Sequence, residues 1–327
     1  MSELHKFLFD GLPVRGMLVR LTDAWTEVLQ RRASNNATGG YPQPVREVLG
    51  EMLAAGVLMQ SNIKFDGALV LQIFGDGPLK LAVAEVQGDL SLRATATMVG
   101  DIPARAGLSQ LVNVSGQGRC AITLDPRQRF PGQQPYQGVV PLSGPSGAGL
   151  QRLSEVLQHY MLQSEQLDTT LVLAADERLA AGLLIQRLPL EGGGNLGGKV
   201  DAANDDEARH EHYRRIALLA STLKREELLT LDAESILRRL FWNEPLTRFA
   251  PVSGADRPRF ACTCSRERVG RMIQGLGAAE ADSIIAERGD IEVGCEFCGR
   301  QYRFDAVDAA LVFTRSEQLL PGSSARQ

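Results

Sequence analysis

One early segment of the chain has apolar or small residues at helical spacing, beginning directly after Pro44. Proline suits the first turn of a helix, because the N–H group that it lacks would have no partner there. The repeat is typical of an amphipathic helix, and we predict one over this segment. Its inward positions are Val45, Val48, Leu49, Met52, Leu53, Gly56 and Met59.

A two-residue alternation replaces this pattern over residues 68–74, where Leu69, Leu71 and Ile73 share one face. It predicts a strand that enters a turn at residues 75–78, which read Gly-Asp-Gly-Pro. Similar runs, bounded by Gly, Pro or Asp, cover residues 79–86, 91–99, 119–124, 136–142, 170–174 and 183–188, and a second helix is predicted over 150–161. We therefore predict an α+β fold, with a mixed, largely antiparallel sheet and helices.

The pattern stops at residues 191–201, which hold five glycines and almost no apolar side chains. Such a segment cannot offset its ordering entropy by burial, so it marks a boundary. Residues 205–244 are charged yet keep a helical apolar stripe, which predicts an amphipathic linker that covers an apolar face of the N-terminal sheet. The stripe consists of Tyr213, Ile216, Leu219, Leu223, Ile236, Leu237, Leu240 and Phe241.

The chain of 327 residues is long enough for two domains. We predict an N-terminal α+β domain over residues 1–190, a flexible and amphipathic helical linker over 191–258, and a small zinc-binding domain over 259–327. The net charge of −4 disfavours a general attraction to nucleic acid or to an anionic membrane. Charged residues interrupt the first twenty positions, and no apolar run is long enough to span a membrane, so we expect a cytoplasmic protein.

Four of the five cysteines form two short pairs, Cys262-x-Cys264 and Cys295-x-x-Cys298, separated by thirty residues. Two pairs at this separation can supply the four thiolates that zinc prefers, so we expect one Zn²⁺ per reduced chain. Each pair could also close on itself as a disulfide, the C-x-C pair only with backbone adjustment. The pattern therefore indicates a candidate redox switch. Cys120 lies in a strand pattern and is interpreted as a buried, inert thiol.

Other candidate sites have simpler explanations. His210 and His212 lie among charged residues and indicate a solvated helix face, and no histidine is placed to support Ser–His or Cys–His catalysis. The glycine-rich segment before Val200 is one residue short of a phosphate-binding loop and lacks its hydroxyl residue. Two alternatives to a switch stay open: a thiol–disulfide oxidoreductase that uses Cys295 and Cys298, and a static zinc-ribbon interaction module.

Several motifs together resemble those of the heat-shock protein 33 family, the redox-regulated 33-kDa chaperonins. The resemblance covers nearly the whole chain, with residues 35–40 and 192–198 as additions. Its most specific part is the C-x-C and C-x-x-C arrangement, with Tyr302 and Phe304 after it. The other similar segments are 262–268, 282–287, 291–298, 41–45, 64–67, Gln72 with 75–78, 136–140, 164–167 and 226–231.

This resemblance implies a holdase chaperone that needs no nucleotide and is not an enzyme. The N-terminal domain would be its chaperone core and dimerisation domain. Oxidation would release zinc, form disulfides and unfold the zinc domain and linker, so that unfolding client proteins bind under oxidative stress. The implied disulfides are Cys262–Cys264 and Cys295–Cys298. The implied partners are client proteins, a second copy of the chain after activation, and ATP-dependent foldases that receive the clients, with no nucleic acid or membrane.

Overall fold

The computed structural model describes residues 1–34, 39–128, 130, 132–144, 147–188 and 202–317. Within them the chain forms two compact units, Met1–Ala261 and Cys262–Gln327. The glycine-rich segment 191–201 lies outside the described residues, and the three-part domain division stays a prediction. No helix in the part of the chain that the structure describes is long and apolar enough to cross a membrane.

Runs of strands and runs of helices follow one another along the described chain, as is typical of an α+β fold. The strands are β1 (Glu3–Phe9), β2 (Val14–Leu21), β3 (Gly67–Phe74), β4 (Leu79–Gln87), β5 (Ser91–Met98), β6 (Arg119–Pro126), β7 (Tyr136–Pro141), β8 (Thr169–Ala175), β9 (Ala180–Arg187), β10 (Leu246–Arg248), β11 (Arg259–Phe260), β12 (Ile291–Gly294) and β13 (Gln301–Phe304). The helices are α1 (Asp23–Ala33), α2 (Gln43–Gln60), α3 (Leu108–Val112), α4 (Leu153–Ser164), α5 (Ala202–Ser221), α6 (Arg225–Thr230), α7 (Ala233–Phe241), α8 (Arg266–Leu276), α9 (Ala278–Arg288) and α10 (Ala306–Glu317).

Two sheets form the first unit. One has the order β10-β1-β2-β9-β8 with antiparallel neighbours throughout. The other has the order β11-β5-β4-β3-β6-β7 and is antiparallel except where β11 joins β5. The predicted hairpin turn joins β3 and β4. Gly75 is required there because a Cβ would lie 2.0 Å from the Leu79 carbonyl oxygen. The predicted α+β class and antiparallel pairing are thus confirmed.

Helix α2 lies between these sheets and contacts strands of both. The predicted helix is present, but it is buried around almost its whole circumference rather than along one stripe. Small residues allow the close approach, since a Cβ on Gly50 would lie 2.4 Å from the Ala175 Cβ and one on Gly56 2.9 Å from Val86 Cγ2. The core of the first unit is therefore built around α2.

Helices α5 to α7 pack on the other face of the five-stranded sheet and form a second apolar cluster. The ring of Phe241 in α7 lies 5.0 Å from that of Phe9 and 6.1 Å from that of Phe7, measured between centroids. Asp232 caps α7 by accepting a hydrogen bond from the Ser235 N–H at 2.8 Å, as its sequence context predicts. Residues 213–241 thus complete the first unit by covering a sheet face that would otherwise be exposed.

The second unit is small and holds the β12–β13 hairpin, α8, α9 and α10. Its main buried apolar cluster consists of Ile273, Ala281, Ile291, Tyr302 and Phe304, with the half-buried Cys264 and Cys295 packed against them. Helices α8 and α9 lie between the two cysteine pairs in the sequence. So few buried side chains give this unit little hydrophobic stabilisation of its own.

Candidate metal centre

The four clustered cysteines lie in two short loops of the second unit. Cys262 and Cys264 directly precede α8, which Ser265 caps by accepting a hydrogen bond from the Arg268 N–H at 3.2 Å. Cys295 and Cys298 form the turn between β12 and β13. In that turn the Gly299 N–H donates to the Cys295 carbonyl oxygen at 2.8 Å, and Gly299 has a φ of 70°, which favours glycine.

All four sulfur atoms lie within 4.8 Å of one another. The sulfurs of Cys262 and Cys295 are 3.6 Å apart, and those of Cys264 and Cys298 are 3.4 Å apart. A disulfide would need about 2.05 Å, whereas four thiolates on a tetrahedral zinc with Zn–S bonds of about 2.3 Å would lie about 3.8 Å apart. The sulfur positions therefore fit a tetrahedral metal site, and the four cysteines are unbridged.

The crowding of the sulfurs prevents all four from carrying charge without a cation. A hydrogen bond to the Cys295 sulfur, together with burial, raises the pKa of Cys262 to about 12. The same contact lowers the pKa of Cys295, and burial raises that of Cys298. One thiolate is thus stabilised at the expense of its neighbours, as expected for like charges in one site. A divalent cation would remove this conflict by neutralising the set.

Hydrogen-bond donors surround the sulfurs and would support thiolate ligands. The Tyr302 hydroxyl donates to the Cys264 sulfur at 3.1 Å. Backbone N–H groups of Phe297 and Cys298 bond to the Cys295 sulfur and that of Arg300 to the Cys298 sulfur. Such outer-shell bonds orient metal ligands and tune their reactivity. Sequence reasoning named Tyr302 but could not assign this bond, because the two residues are 38 positions apart.

The three arginines that flank the cysteines have different partners. Arg300 lies near enough to Cys264 and Cys298 for their charges to raise its pKa, after the larger effect of a hydrogen bond with Tyr302. Arg266 instead pairs with Asp308 at 2.6 Å and lies over the Phe304 ring at 4.2 Å. Arg268 donates to the carbonyl and hydroxyl oxygens of Thr263. Of these three arginines, Arg300 is therefore the one placed to stabilise the thiolates.

Comparison with known proteins identifies the family of a chain that has this fold and this cysteine cluster. The family model described as Hsp33 protein matches residues 2–305. The chain belongs to the Hsp33 family. It is 45% identical over 312 residues to the 33 kDa chaperonin of Chromobacterium violaceum, and the alignment covers 95% of this chain and 94% of that relative. It is 42% identical over 327 residues to the 33 kDa chaperonin of Methylobacillus flagellatus, and this alignment covers 99% of this chain and 98% of that relative.

A solved structure shows the same fold. The crystal structure of the Hsp33 homologue from Thermotoga maritima matches with a TM-score of 0.71 at 19% identity, covering 97% of this chain and all of that one. The family and the α+β architecture expected from the sequence are thus confirmed. Hsp33 proteins are chaperones by name, and chaperone function is the coarse conclusion that the relatives support for this chain.

The structure also places the other residues that the sequence singled out in this Hsp33 chain. Cys120 is fully buried in β6, and burial raises its pKa to about 12, as expected for an inert thiol. His210 lies 3.8 Å from Asp168 and is not part of the cysteine cluster. The predicted linker stripe is brought together on the sheet. Tyr213, Ile216, Leu223, Ile236, Leu237, Leu240 and Phe241 are buried there, and Leu219 is half-buried.

Polar contacts of the linker helices were not foreseen from the sequence. The Arg225 guanidinium at the start of α6 pairs with Glu47 of α2 at 2.9 Å and donates to the Ala175 carbonyl oxygen. The Arg20 guanidinium donates to the Leu228 carbonyl oxygen at 2.8 Å. These partners are about 50 to 208 positions apart, so no local pattern signals them. They add directional contacts to an otherwise apolar interface within the first unit.

Proposed function

We propose that this chain is a redox-regulated, ATP-independent holdase that binds unfolding proteins after oxidation. The observation that carries the proposal is the cluster of four unbridged sulfurs at zinc-ligand spacing in a unit with a very small core. Cys262, Cys264, Cys295 and Cys298 would hold one Zn²⁺. Structural zinc sites contribute about 10–16 kcal/mol of apparent free energy, so the fold of this unit would depend on the intact ligand set.

Oxidation would destroy that ligand set. Two vicinal thiolates that form one disulfide give two electrons to an oxidant such as a peroxide, whose O–O bond breaks to give water or hydroxide. The proposed bridges are Cys262–Cys264 and Cys295–Cys298, since each pair is close in the chain and stays close after the metal has left, although the C-x-C pair needs backbone adjustment to close. Three of the four cysteines are partly exposed, which gives an oxidant access. Two disulfides would leave no thiolate to hold the metal.

The client-binding surface would come from the linker and the sheet face beneath it. Both are apolar, and at present they bury each other. Because Ala261 continues directly into Cys262, unfolding of the zinc-binding residues would leave the chain after the linker held only by β10 and β11, the short strands at the edges of the two sheets. The apolar stripe and its sheet face would then be open to the apolar segments that unfolding proteins expose. This supports a binding function that needs no nucleotide and no catalysis.

The partners and compartment belong to the same proposal. The activated chain would form a homodimer and pass clients to ATP-dependent foldases, and it would work in the cytoplasm, where thiols are kept reduced until stress. A thiol–disulfide oxidoreductase is disfavoured because Cys295 and Cys298 lie in a hairpin turn, not at the start of a helix. A static zinc ribbon would have the same sulfur geometry, so an experiment must distinguish it from a redox switch.

The test measures zinc release and suppression of client aggregation together, before and after peroxide. The reduced chain should contain one zinc and give little protection, and the oxidised chain should have lost zinc and suppress light scattering. A Cys120→Ser variant is the matched control and should behave like the parent. Retention of zinc after peroxide, or loss of zinc with no gain in protection, would favour the static module. Peptide mapping that found mainly bonds between the two cysteine pairs would contradict the proposed bridges.

A further inference from the structure

Two cations lie on the inner face of the five-stranded sheet, where the structure gives them no acidic partner. Lys6 in β1 and Arg15 in β2 are both partly buried, and within the described residues neither forms an ion pair with a carboxylate. Burial lowers the pKa of both groups, and the charge of Arg15 lowers that of Lys6 further. Lys6 donates to the Ser61 carbonyl oxygen at the end of α2, at 2.8 Å. Arg15 is left without a compensating charge.

The donors around Arg15 outnumber the acceptors. The Gln186 side-chain oxygen accepts from Arg15 Nη2 at 2.5 Å, from Arg15 Nε at 3.2 Å and from Asn62 Nδ2 at 2.7 Å. Gln186 is fully buried, and its amide is held in this orientation because its Nε2 donates to the Thr169 hydroxyl at 2.8 Å. One neutral oxygen with two lone pairs thus serves three N–H groups. An anion bound beside Arg15 and Asn62 would offer these N–H groups further acceptor oxygens.

An apolar cavity of about 90 Å³ opens beside these donors. Arg15, Asn62 and Glu165 contribute polar groups to its wall, and the Glu165 carboxylate accepts from the Tyr160 hydroxyl at 2.8 Å. The rest of the wall is apolar and mostly buried. Its main residues are Met59, Ile63, Leu69, Ile122, Leu124 and Met161. A cavity of this kind has the usual composition of a small-ligand site, with apolar walls and a few converging polar groups.

We propose that this pocket binds a small monocarboxylate that has a short apolar tail. The carboxylate would accept from Arg15, whose planar donors match its two oxygens, and from Asn62. The tail would enter the cavity between the two methionines. Since a cavity of about 150 Å³ holds a benzene ring, the smaller space here suits a tail of about three to five carbons. The site is separate from the cysteine cluster, and this inference does not depend on the proposed redox function.

Hexanoate is the probe, and the full-length, reduced, zinc-loaded chain is the sample. The seven methionines supply reporters in a methyl NMR spectrum, because two of them line the cavity and others do not. Hexanoate should shift the Met59 and Met161 methyl signals saturably and leave those of Met98 and Met272 unchanged. Hexan-1-ol and hexylamine, which have similar tails without the negative charge, should bind at least tenfold more weakly. Acetate, which lacks the tail, should also bind at least tenfold more weakly.

Arg15→Gln should weaken hexanoate binding at least tenfold while the ligand-free melting temperature stays the same or rises, because an uncompensated cation is removed. Arg127→Gln, at an exposed arginine 4.0 Å from Asp66, is the matched control for loss of one positive charge and should bind like the parent. If Arg15→Gln does not fold, Leu124→Phe, which fills the cavity, should abolish the shifts. Absence of saturable shifts at Met59 and Met161, equal binding of hexan-1-ol, or unchanged binding by a folded Arg15→Gln variant would overturn the proposal.

Discussion

At the scale of single residues, the cysteine cluster shows which parts of a site a sequence can reveal. The cluster of four cysteines was predictable because each pair is local and the chemistry of thiolates restricts what they can do. The Tyr302 hydroxyl at 3.1 Å from the Cys264 sulfur was not, since that contact depends on how the hairpin packs against the loop before α8. The contact has a measurable consequence.

Tyr302→Phe removes the hydroxyl and keeps the ring in the small core of the second unit. Loss of an outer-shell hydrogen bond typically costs 10–100-fold in metal affinity, so we expect zinc to bind at least about tenfold more weakly. Competition with a chromophoric chelator measures this affinity. Tyr136→Phe, at an exposed tyrosine in the first unit, is the control and should leave it unchanged. An unchanged affinity in Tyr302→Phe would show that this hydrogen bond does not support the ligand set.

At the scale of elements, α5 to α7 determine whether an apolar surface is available. The side chains of Ile236 and Phe241 are almost fully buried between α7 and the sheet. A carboxylate at either position cannot be solvated without opening the interface, which costs several kcal/mol. The linker is thus the element whose packing can be weakened without touching a cysteine.

Ile236→Asp or Phe241→Asp should therefore give chaperone activity with zinc still bound and all thiols reduced. The measurement is light-scattering suppression of a thermally unfolded client under strict reduction, with zinc content determined in parallel. Leu218→Asp is the matched control, because Leu218 is 68% exposed on α5 and an acid there leaves the interface intact. A folded Ile236→Asp or Phe241→Asp variant that is no more active than the parent would show that the linker is not the covering element.

The contact between α2 and α6 predicts a pH dependence. Burial raises the pKa of Glu51 to about 8; Arg225 and Arg152 oppose the shift, and Glu47 adds to it. A folded-state pKa above the unfolded value means that the folded chain holds the proton more tightly, so stability is lost as pH rises from about 4.5 through about 8. Urea unfolding of the first unit should show this decline, of roughly 2–4 kcal/mol, and Glu51→Gln should abolish it. If stability still declines with rising pH in Glu51→Gln, other titrating groups cause the decline.

At the scale of the whole molecule, the described chain is two units whose buried cores differ greatly in size. The fold of the first could be predicted in part. Helix α2 and strands β3 to β9 follow regular patterns of apolar and polar residues, and their observed ends differ from the predicted ends by a few residues. Strands β1 and β2 do not follow such patterns, because apolar residues lie on both faces of their sheet and the charged Lys6, Arg15 and Arg20 interrupt what would otherwise be continuous apolar runs. Helix α8, mostly exposed, also lacked a clear signal.

The central claim is that loss of the metal-binding fold exposes the linker surface. Hydrogen exchange, followed by mass spectrometry on the reduced, zinc-loaded chain and on the peroxide-treated chain, tests it most directly. We predict slow exchange over residues 213–241 in the reduced chain and fast exchange after oxidation, over both this segment and residues 262–317, while α2 stays protected. Continued protection of residues 213–241 in an oxidised, zinc-free chain that suppresses client aggregation would contradict the account.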